Sequence, residues 1–519
     1  MAEAAVRTIP ELLEGTASRL ADAPAVIDGD TTLTYSELLE ASRTFAAALV
    51  ARGVRTGERV SIWMPNSWRW IVAVLGIWQA GGVLVPINTR FKGVEAADIL
   101  ARAGVRLLVT VTDFLDTDYV GMLEGANLPE LADIVVAYGP AGASIAWEDF
   151  VASATSDAVV EAADRRKALT PESPSDILFT SGTTGKAKGV VQTHSRTLCV
   201  ASDWVAMTGL TAGDRYLMVN PYFHMFGLKA GILASITAGA TMYPAPVFDV
   251  DLVLARVASE RITVLPGAPT IYQAILDHPD REKHDLSTLR VAVTGSADIP
   301  VSLIRRMYDE LPFQVVVSGY GLTEAGTASG TGPEDGPEEV ATTVGRARPG
   351  FEIRLVDPGG NAVGLGETGE ILLRGPSVMS HYLDDPKGTA AALSEDGWLR
   401  TGDIGALDPD GLLRIVGRAK DMFIVGGFNA YPAEIENLML AHPAIRSVAV
   451  IGTPDERLGE VGMAFVVLED GAAATAEEII AWSRDHMANY KAPRRVEFLD
   501  ALPLNATGKV VKEELRNLA

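Results

Sequence analysis

Short, uninterrupted apolar runs alternate along most of the chain with longer stretches of helical period. "RVSIWM", "GGVLVPI", "RLLVTV", "DIVVAY", "RYLMVN", "ATMYPAP", "ITVLPG", "LRVAVTG" and "FQVVVSGYG" carry few polar positions. A strand that alternates apolar and polar residues faces water on one side, whereas one that is apolar throughout is buried on both, as in sheets covered by helices. The pattern therefore predicts a layered α/β architecture for the first part of the chain. From about residue 345 the texture changes: "GFEIRLVDPGGNAVGLGETGEILLRG" alternates short strands with Gly and Pro turns, and the "DPDG" at 408–411 reads as a hairpin turn. A small β-rich subdomain over about 345–416 is expected. The last hundred residues restart a mixed pattern, with helices in "YPAEIENLMLAHP" and "TAEEIIAWSRDHM" and strands in "SVAVIG" and "GMAFVVLED". That restart predicts an N-terminal domain over 1–419 and a mobile small α+β C-terminal domain over 420–519.

Two stretches mimic other architectures. Residues 70–87, "WIVAVLGIWQAGGVLVPI", lack charge but contain Gln79, Gly81, Gly82 and Pro86, so a buried helix running into a buried strand is expected and no membrane span. Residues 364–369, "GLGETG", match G-x-G-x-x-G, yet the "EILLRG" that follows is a strand, so no helix N-terminus is at hand to receive a dinucleotide.

With 519 residues, 48% apolar and 21% charged, the chain is large enough for more than one folded domain. Its net charge of −23 argues against a nucleic-acid partner, whose phosphates demand Lys and Arg, but leaves room for small anions met by a local cluster of donors. The one cysteine, Cys199, excludes intramolecular disulfides and Cys-based zinc sites and reads as a packed thiol. Acids run through "MAEAAVRTIPELLEGTASRL", where a signal segment would be apolar, so a cytoplasmic location is expected.

The chemistry concentrates first in residues 177–192, "ILFTSGTTGKAKGVVQ". A Walker loop needs a second Gly five residues after its first, followed at once by Lys, but Gly182 leads to Ala187 and Gly185 to Val190. Strand-like segments flank the loop, so it joins two strands and caps no helix. Thr180, Ser181, Thr183 and Thr184 supply hydroxyls, Gly182, Gly185 and Gly189 let backbone N–H groups approach closely, and Lys186 and Lys188 bring charge, a donor set suited to polyphosphate.

"TSGTTGKAKG" resembles the signature loop of the adenylate-forming superfamily, which holds acyl-CoA synthetases, luciferases and peptide-synthetase adenylation domains. Six further segments match that family in order: "NPYFHMFG" (220–227), "TGSADIP" (294–300), "GYGLTEAG" (319–326), "WLRTGDIG" (398–405), "GRAKDMFIVGGFNAYPAEIE" (417–436) and "LPLNATGK" (502–509). The resemblance implies an ATP-dependent ligase that converts a carboxylic acid to an acyl-adenylate and then to its CoA thioester, with ATP, Mg²⁺ and CoA as cofactor and co-substrates.

The same resemblance assigns expectations to single residues. The Thr180–Lys188 loop would clamp pyrophosphate, Glu324 would hold Mg²⁺, and Thr323 would donate to the α-phosphate; a helix-capping Thr with a first-turn acid is the alternative for that pair. Tyr320 would stack on adenine, flanked by Gly295, Ser296, Ala297, Gly319 and Gly321, with Ser318 standing where many members carry Asn or Gln. Asp403 would accept both ribose hydroxyls beside Arg418. Lys509 would contact the carboxylate and the α-phosphate region, then withdraw as the small domain turns about a hinge at Lys420, with Gly426 and Gly427 along the CoA tunnel. Tyr222, Phe223 and His224 would line the acyl pocket, His224 as its gate, while His194 is read as structural. Ala187 departs from the family's usual Pro. The whole-chain likeness is to actinobacterial ligases acting on the propanoate of a steroid-derived bicyclic ketone; a medium-chain or aryl acid, or loading of a carrier protein, remain the alternatives. Assembly is expected as monomer or homodimer.

Overall fold

A computed structural model of the protein describes residues 7–180, 187–295, 299, 301–426, 428–505 and 509–519. Two large, mostly parallel sheets form the first part of the chain. The nine-stranded sheet runs in the order Arg346–Ala347, Gly326–Gly330, Val315–Leu322, Val291–Gly295, Val264–Gly267, Arg215–Met218, Thr241–Pro244, Pro24–Asp28, Thr31–Thr34. The eight-stranded sheet runs His381–Tyr382, Lys188–Thr193, Pro174–Thr180, Val83–Pro86, Arg59–Trp63, Val105–Val111, Asp133–Tyr138, Ile145–Ala146. Each of the nine apolar runs read from the sequence forms a strand of one of these sheets. Most of their side chains are buried on both faces, as continuous apolar runs require, with partly exposed positions at strand ends.

Local signals set the helix starts. Thr8 with Glu11, Thr34 with Glu37 and Thr475 with Glu478 form reciprocal capping boxes before Ile9–Arg19, Tyr35–Ala51 and Ala476–His486. The charge-free stretch forms the helix Trp68–Gln79 and the strand Val83–Pro86, both in the core, with Gln79 bonded to the Ser42 hydroxyl. Trp63, Trp70 and Trp78 are fully buried there, each side chain contributing roughly 3 kcal/mol of hydrophobic stabilisation. Among the described residues no helix is long and apolar enough to cross a membrane.

The Gly-rich region forms a four-stranded antiparallel sheet, Glu352–Val356, Thr368–Arg374, Leu399–Leu407 and Leu413–Arg418. Its "DPDG" closes the last hairpin, with Gly411 at φ 76° donating to Asp408 O, and "GLGETG" leads into the strand Thr368–Arg374. The final strand reaches Arg418, two residues past the expected end of this unit. A five-stranded sheet then carries the C-terminal part, built on the long hairpin Ile445–Asp455 and Gly459–Leu468. Between the two sheets lies a tight turn: Asp421 and Met422 both donate to Arg418 O at 3.1 Å, Ala419 donates to Gly402 O at 2.9 Å, and Arg516 reaches Asp421 at 3.4 Å.

Candidate active site

The opening loop leaves and returns at the edge of one sheet. Pro174–Thr180 and Lys188–Thr193 pair antiparallel with Thr180 opposite Lys188, so the loop joins strands and caps no helix. Ser181, Gly182, Thr183, Thr184 and Gly185 lie outside the described residues, as do Ser296, Ala297 and Gly427. At the loop's exit Ala187 O accepts from Arg102 Nη2 at 2.8 Å, an anchor that acts where the family commonly has a Pro. Lys188 holds its ammonium 4.6 Å from the centre of the Tyr382 ring, and the Tyr382 hydroxyl donates to Glu324 Oε1 at 2.9 Å. Tyr382 stands on a two-residue strand paired with Val190 and Val191, so one side chain joins the phosphate loop to the candidate metal ligand.

Thr323 and Glu324 occupy a turn between Val315–Leu322 and Gly326–Gly330, two antiparallel strands. No helix follows, so the helix-capping alternative falls. The turn is glycine-dependent: a Cβ at Gly321 would stand 2.2 Å from Gly326 O, and Gly326 itself has φ +72°. Met379 N–H donates to Glu324 O at 2.6 Å and Ser377 Oγ to Ala325 O at 2.7 Å, fixing the backbone on which Glu324 stands. Gly295 pairs with Gly319 on the adjacent parallel strands, leaving a side-chain-free step beside Tyr320. Ser318 is buried beneath them, its N–H held by Thr331 Oγ1 at 2.9 Å and its own hydroxyl without a partner among the described residues.

Asp403 and Arg418 face each other across neighbouring antiparallel strands. Arg418 Nε lies 3.0 Å from Asp403 Oδ1, and the Tyr320 hydroxyl donates to Asp403 Oδ2 at 2.6 Å. Burial first, and the Asp403 charge second, push the Tyr320 hydroxyl well above its ordinary range, so it remains a donor. A carboxylate offers about four acceptor positions. Two bonds therefore leave capacity for further hydroxyls on the half-exposed edge beside Arg418.

The His224 segment is hung from Asn66, which donates to Met218 O and Asn220 O and accepts from Tyr222 N–H at 2.8 Å. His224 Nδ1 accepts from Phe226 N–H at 3.2 Å, which places the imidazole hydrogen on Nε2. Burial, and then the nearby Lys509 ammonium, pull this imidazole down to about 4, so it is neutral at physiological pH. Lys509 lies in a loop closed on Asn505, Lys509 N–H to Asn505 Oδ1 at 2.9 Å, and Arg90 donates to Asn505 O at 3.2 Å. The structure thus brings Lys509 to the His224 side of the site. Phe223 is half-buried beside it. Tyr222 departs from expectation as a pocket residue: it has no exposed surface and packs edge-on against Trp70 at 5.3 Å, so it belongs to the core behind the wall.

Lys420 occupies the turn between the two C-terminal sheets, its ammonium pulled below the ordinary lysine value by partial burial, which the Asp421 charge opposes. Gly426, at φ +57°, stands in the turn of the hairpin Phe423–Val425 and Phe428–Ala430, its N–H donating to Leu458 O at 2.8 Å. His194 is fully buried with Nδ1 accepting from Ile9 N–H at 3.3 Å, in keeping with a structural reading. The Cys199 thiol is half-buried beside Asp203, and burial raises it to about 11, where it is no nucleophile at neutral pH. Sequence reasoning missed Tyr382, Asn66 and Arg102. Each acts on a residue far away in the chain and sits in a segment with no local marker of that partner.

The arrangement combines the ends of a Gly- and Thr-rich loop, a turn presenting a carboxylate, an ion pair of Asp403 with Arg418, and a lysine brought in from the C-terminal part. The "AMP-binding enzyme" family model matches residues 13–383, and the "AMP-binding enzyme C-terminal domain" model matches 434–509. The chain is 47% identical over 515 residues to a (7a-methyl-1,5-dioxo-octahydro-1H-inden-4-yl)propanoyl:CoA ligase of Rhodococcus jostii, covering 98% of each chain. It is 48% identical over 514 residues to the ligase of the same name from Mycobacterium tuberculosis, covering 99% of each. Its fold superposes on the anthranilate CoA ligase AuaEII in complex with anthranoyl-AMP with a TM-score of 0.89 at 30% identity, covering 99% of this chain and 97% of that one. The chain belongs to the AMP-binding, adenylate-forming enzymes, and it is an acyl-CoA synthetase of the AMP-forming type.

Proposed function

We propose that this synthetase activates the propanoate side chain of a steroid-derived bicyclic ketone. The observation that carries the reading is identity of 47% and 48% over nearly the full length to two ligases named for that acid. The carboxylate attacks the α-phosphate of ATP, pyrophosphate departs, and the CoA thiol then displaces AMP to form the thioester. A carboxylate by itself is a poor acyl donor; adenylation gives it a leaving group, and the work left to the protein is positioning and charge stabilisation.

The site residues divide that work. The Thr180–Lys188 loop holds the departing pyrophosphate, Tyr320 and the Gly295–Gly319 step receive adenine, and Asp403 with Arg418 holds the ribose. Thr323 donates to the α-phosphate. His224 and Phe223 border the acid, and Lys509 neutralises charge between carboxylate and phosphate during the first step. Turning of residues 420–519 about Lys420 then removes Lys509 and brings Gly426 and Gly427 toward the thiol path. Glu324 suits a single Mg²⁺ position: Tyr382 occupies Oε1, and Oε2 takes no hydrogen bond among the described residues. Since those residues include no cluster of three metal-ligating side chains, phosphates and water would complete the shell. When bound, Mg²⁺ supplies charge neutralisation of the phosphates. The protein works in the cytoplasm as a monomer or homodimer.

Pyrophosphate release measured with a panel of acids, with and without CoA, tests the reading. Acid-dependent release and thioester formation strongest with the bicyclic propanoate are expected. Preference for a medium-chain or aryl acid overturns the substrate, and release that never yields a thioester without a carrier protein overturns CoA ligation.

A further inference from the structure

Behind the loop and the His224 segment lies a wholly buried ion pair. Lys229 Nζ stands 2.9 Å from Asp176 Oδ1, with the side chains 2% and 0% exposed. Asp176 is in the strand Pro174–Thr180, four residues before Thr180, and its Oδ2 accepts from Ser175 Oγ and Thr197 Oγ1, both at 2.7 Å. Lys229 is in Leu228–Leu233, a π-helical turn that continues directly from the short helix capped by His224. The pair therefore ties the strand that carries the phosphate loop to the helix that carries the acid-side segment.

Stability alone is a poor reason for such a pair. Desolvating two charges costs several kcal/mol per ion, and neutral replacements of similar volume are often as stable or more so. A π-turn is also a rare, less favourable helical geometry found mostly at functional sites. Here it spans the segment that bears Lys229, one turn past His224. Two costly features meet at one point, and that point joins the two halves of the reaction centre.

We propose that Lys229 and Asp176 are positioning residues that fix the distance and angle between the pyrophosphate loop and the acid held beside His224. The attraction of the two buried charges favours one approach of strand to helix where apolar packing alone would tolerate sliding. A misplacement of about 1 Å from a remote change lowers turnover by about 100-fold. This inference rests on the adenylation reading above.

The test is the near-isosteric neutral variant Lys229→Met/Asp176→Asn, in which Asn still accepts from Ser175 and Thr197. It is expected to fold with a melting temperature near that of the wild type and to bind ATP with unchanged affinity by calorimetry, while kcat for acid-dependent pyrophosphate release falls about 10- to 100-fold. Lys229→Arg, which keeps the charge, is expected to recover most of that turnover. A double variant that folds and keeps wild-type kcat overturns the proposal, and so does one that fails to fold, since the pair then serves stability. A wild-type protein without acid-dependent release would instead overturn the adenylation reading itself.

Discussion

Tyr320 and Asp403, 83 residues apart in the chain, are joined by a 2.6 Å hydrogen bond from the phenol to the carboxylate. The group proposed to face adenine and the group proposed to hold the ribose thus form one unit, with Arg418 on the other oxygen of the same carboxylate. Asp403→Asn removes the charge that both neighbours address. Hydrogen bonds to charged groups contribute about 1.5–3 kcal/mol, so ATP affinity measured by calorimetry is expected to fall roughly 10- to 100-fold. Unchanged affinity in a folded variant would remove Asp403 from the nucleotide site.

Tyr382 does two separable jobs. Tyr382→Phe keeps the ring beneath Lys188 but releases Glu324, and pyrophosphate formation is expected to fall about tenfold, the equivalent of about 1.4 kcal/mol. Tyr382→Leu removes the ring as well, at a further cost of about 1–2 kcal/mol for a part-buried cation–π contact, or a roughly five- to thirtyfold greater loss. Equal rates for the two variants would show that the Lys188 contact carries no weight.

Lys509→Ala is expected to abolish adenylation while still allowing thioester formation from supplied acyl-adenylate and CoA. Single-turnover measurements of each half-reaction separate the two. Equal loss of both steps would refute a role confined to the first.

Stability should depend on pH through two imidazoles. Burial pulls His194 and His224 from an ordinary 6.5 to about 4, the Lys509 charge adding to the effect at His224 and Asp176 opposing it at His194. The unfolded chain therefore takes up these protons first. Their contribution is complete above pH 6.5 and is lost as the pH falls from about 6.5 to about 4, below which it levels off. Melting temperatures across that range check it, and His194→Gln should flatten the slope. An unchanged slope would mean that His194 does not titrate there.

How much of this was legible beforehand follows from range. Continuous apolar runs such as "LRVAVTG" and "FQVVVSGYG" declare buried strands because burial on both faces dictates every position in them. Capping boxes and the "DPDG" turn are equally local. The motif residues were recognisable by resemblance, and the structure adds how several of them are held. Asn66 with the Tyr222 N–H, Tyr382 with Glu324 and Lys229 with Asp176 left no trace, because each contact joins elements that only the completed fold brings together. Tyr222 differs from its half-buried motif neighbours because the turn lays its ring against Trp70, a contact made only in the folded protein.

The turn after Arg418 has a mechanical consequence. A single residue, Ala419, separates Arg418 from Lys420, and its N–H is pinned to Gly402, next to Asp403. A pivot at Lys420, as proposed, would thus begin beside the proposed ribose contact. Beyond it, the N–H groups of Asp421 and Met422 fold onto Arg418 O and Arg516 reaches Asp421 at 3.4 Å; releasing the two N–H bonds costs about 1–3 kcal/mol. Such a cost leaves the two bonds open by thermal motion in roughly 1 to 15 per cent of molecules. If residues 420–519 turn as proposed, what occupies the site would set the timing, and Arg418 would be the shared end of the proposed ribose contact and the pivot.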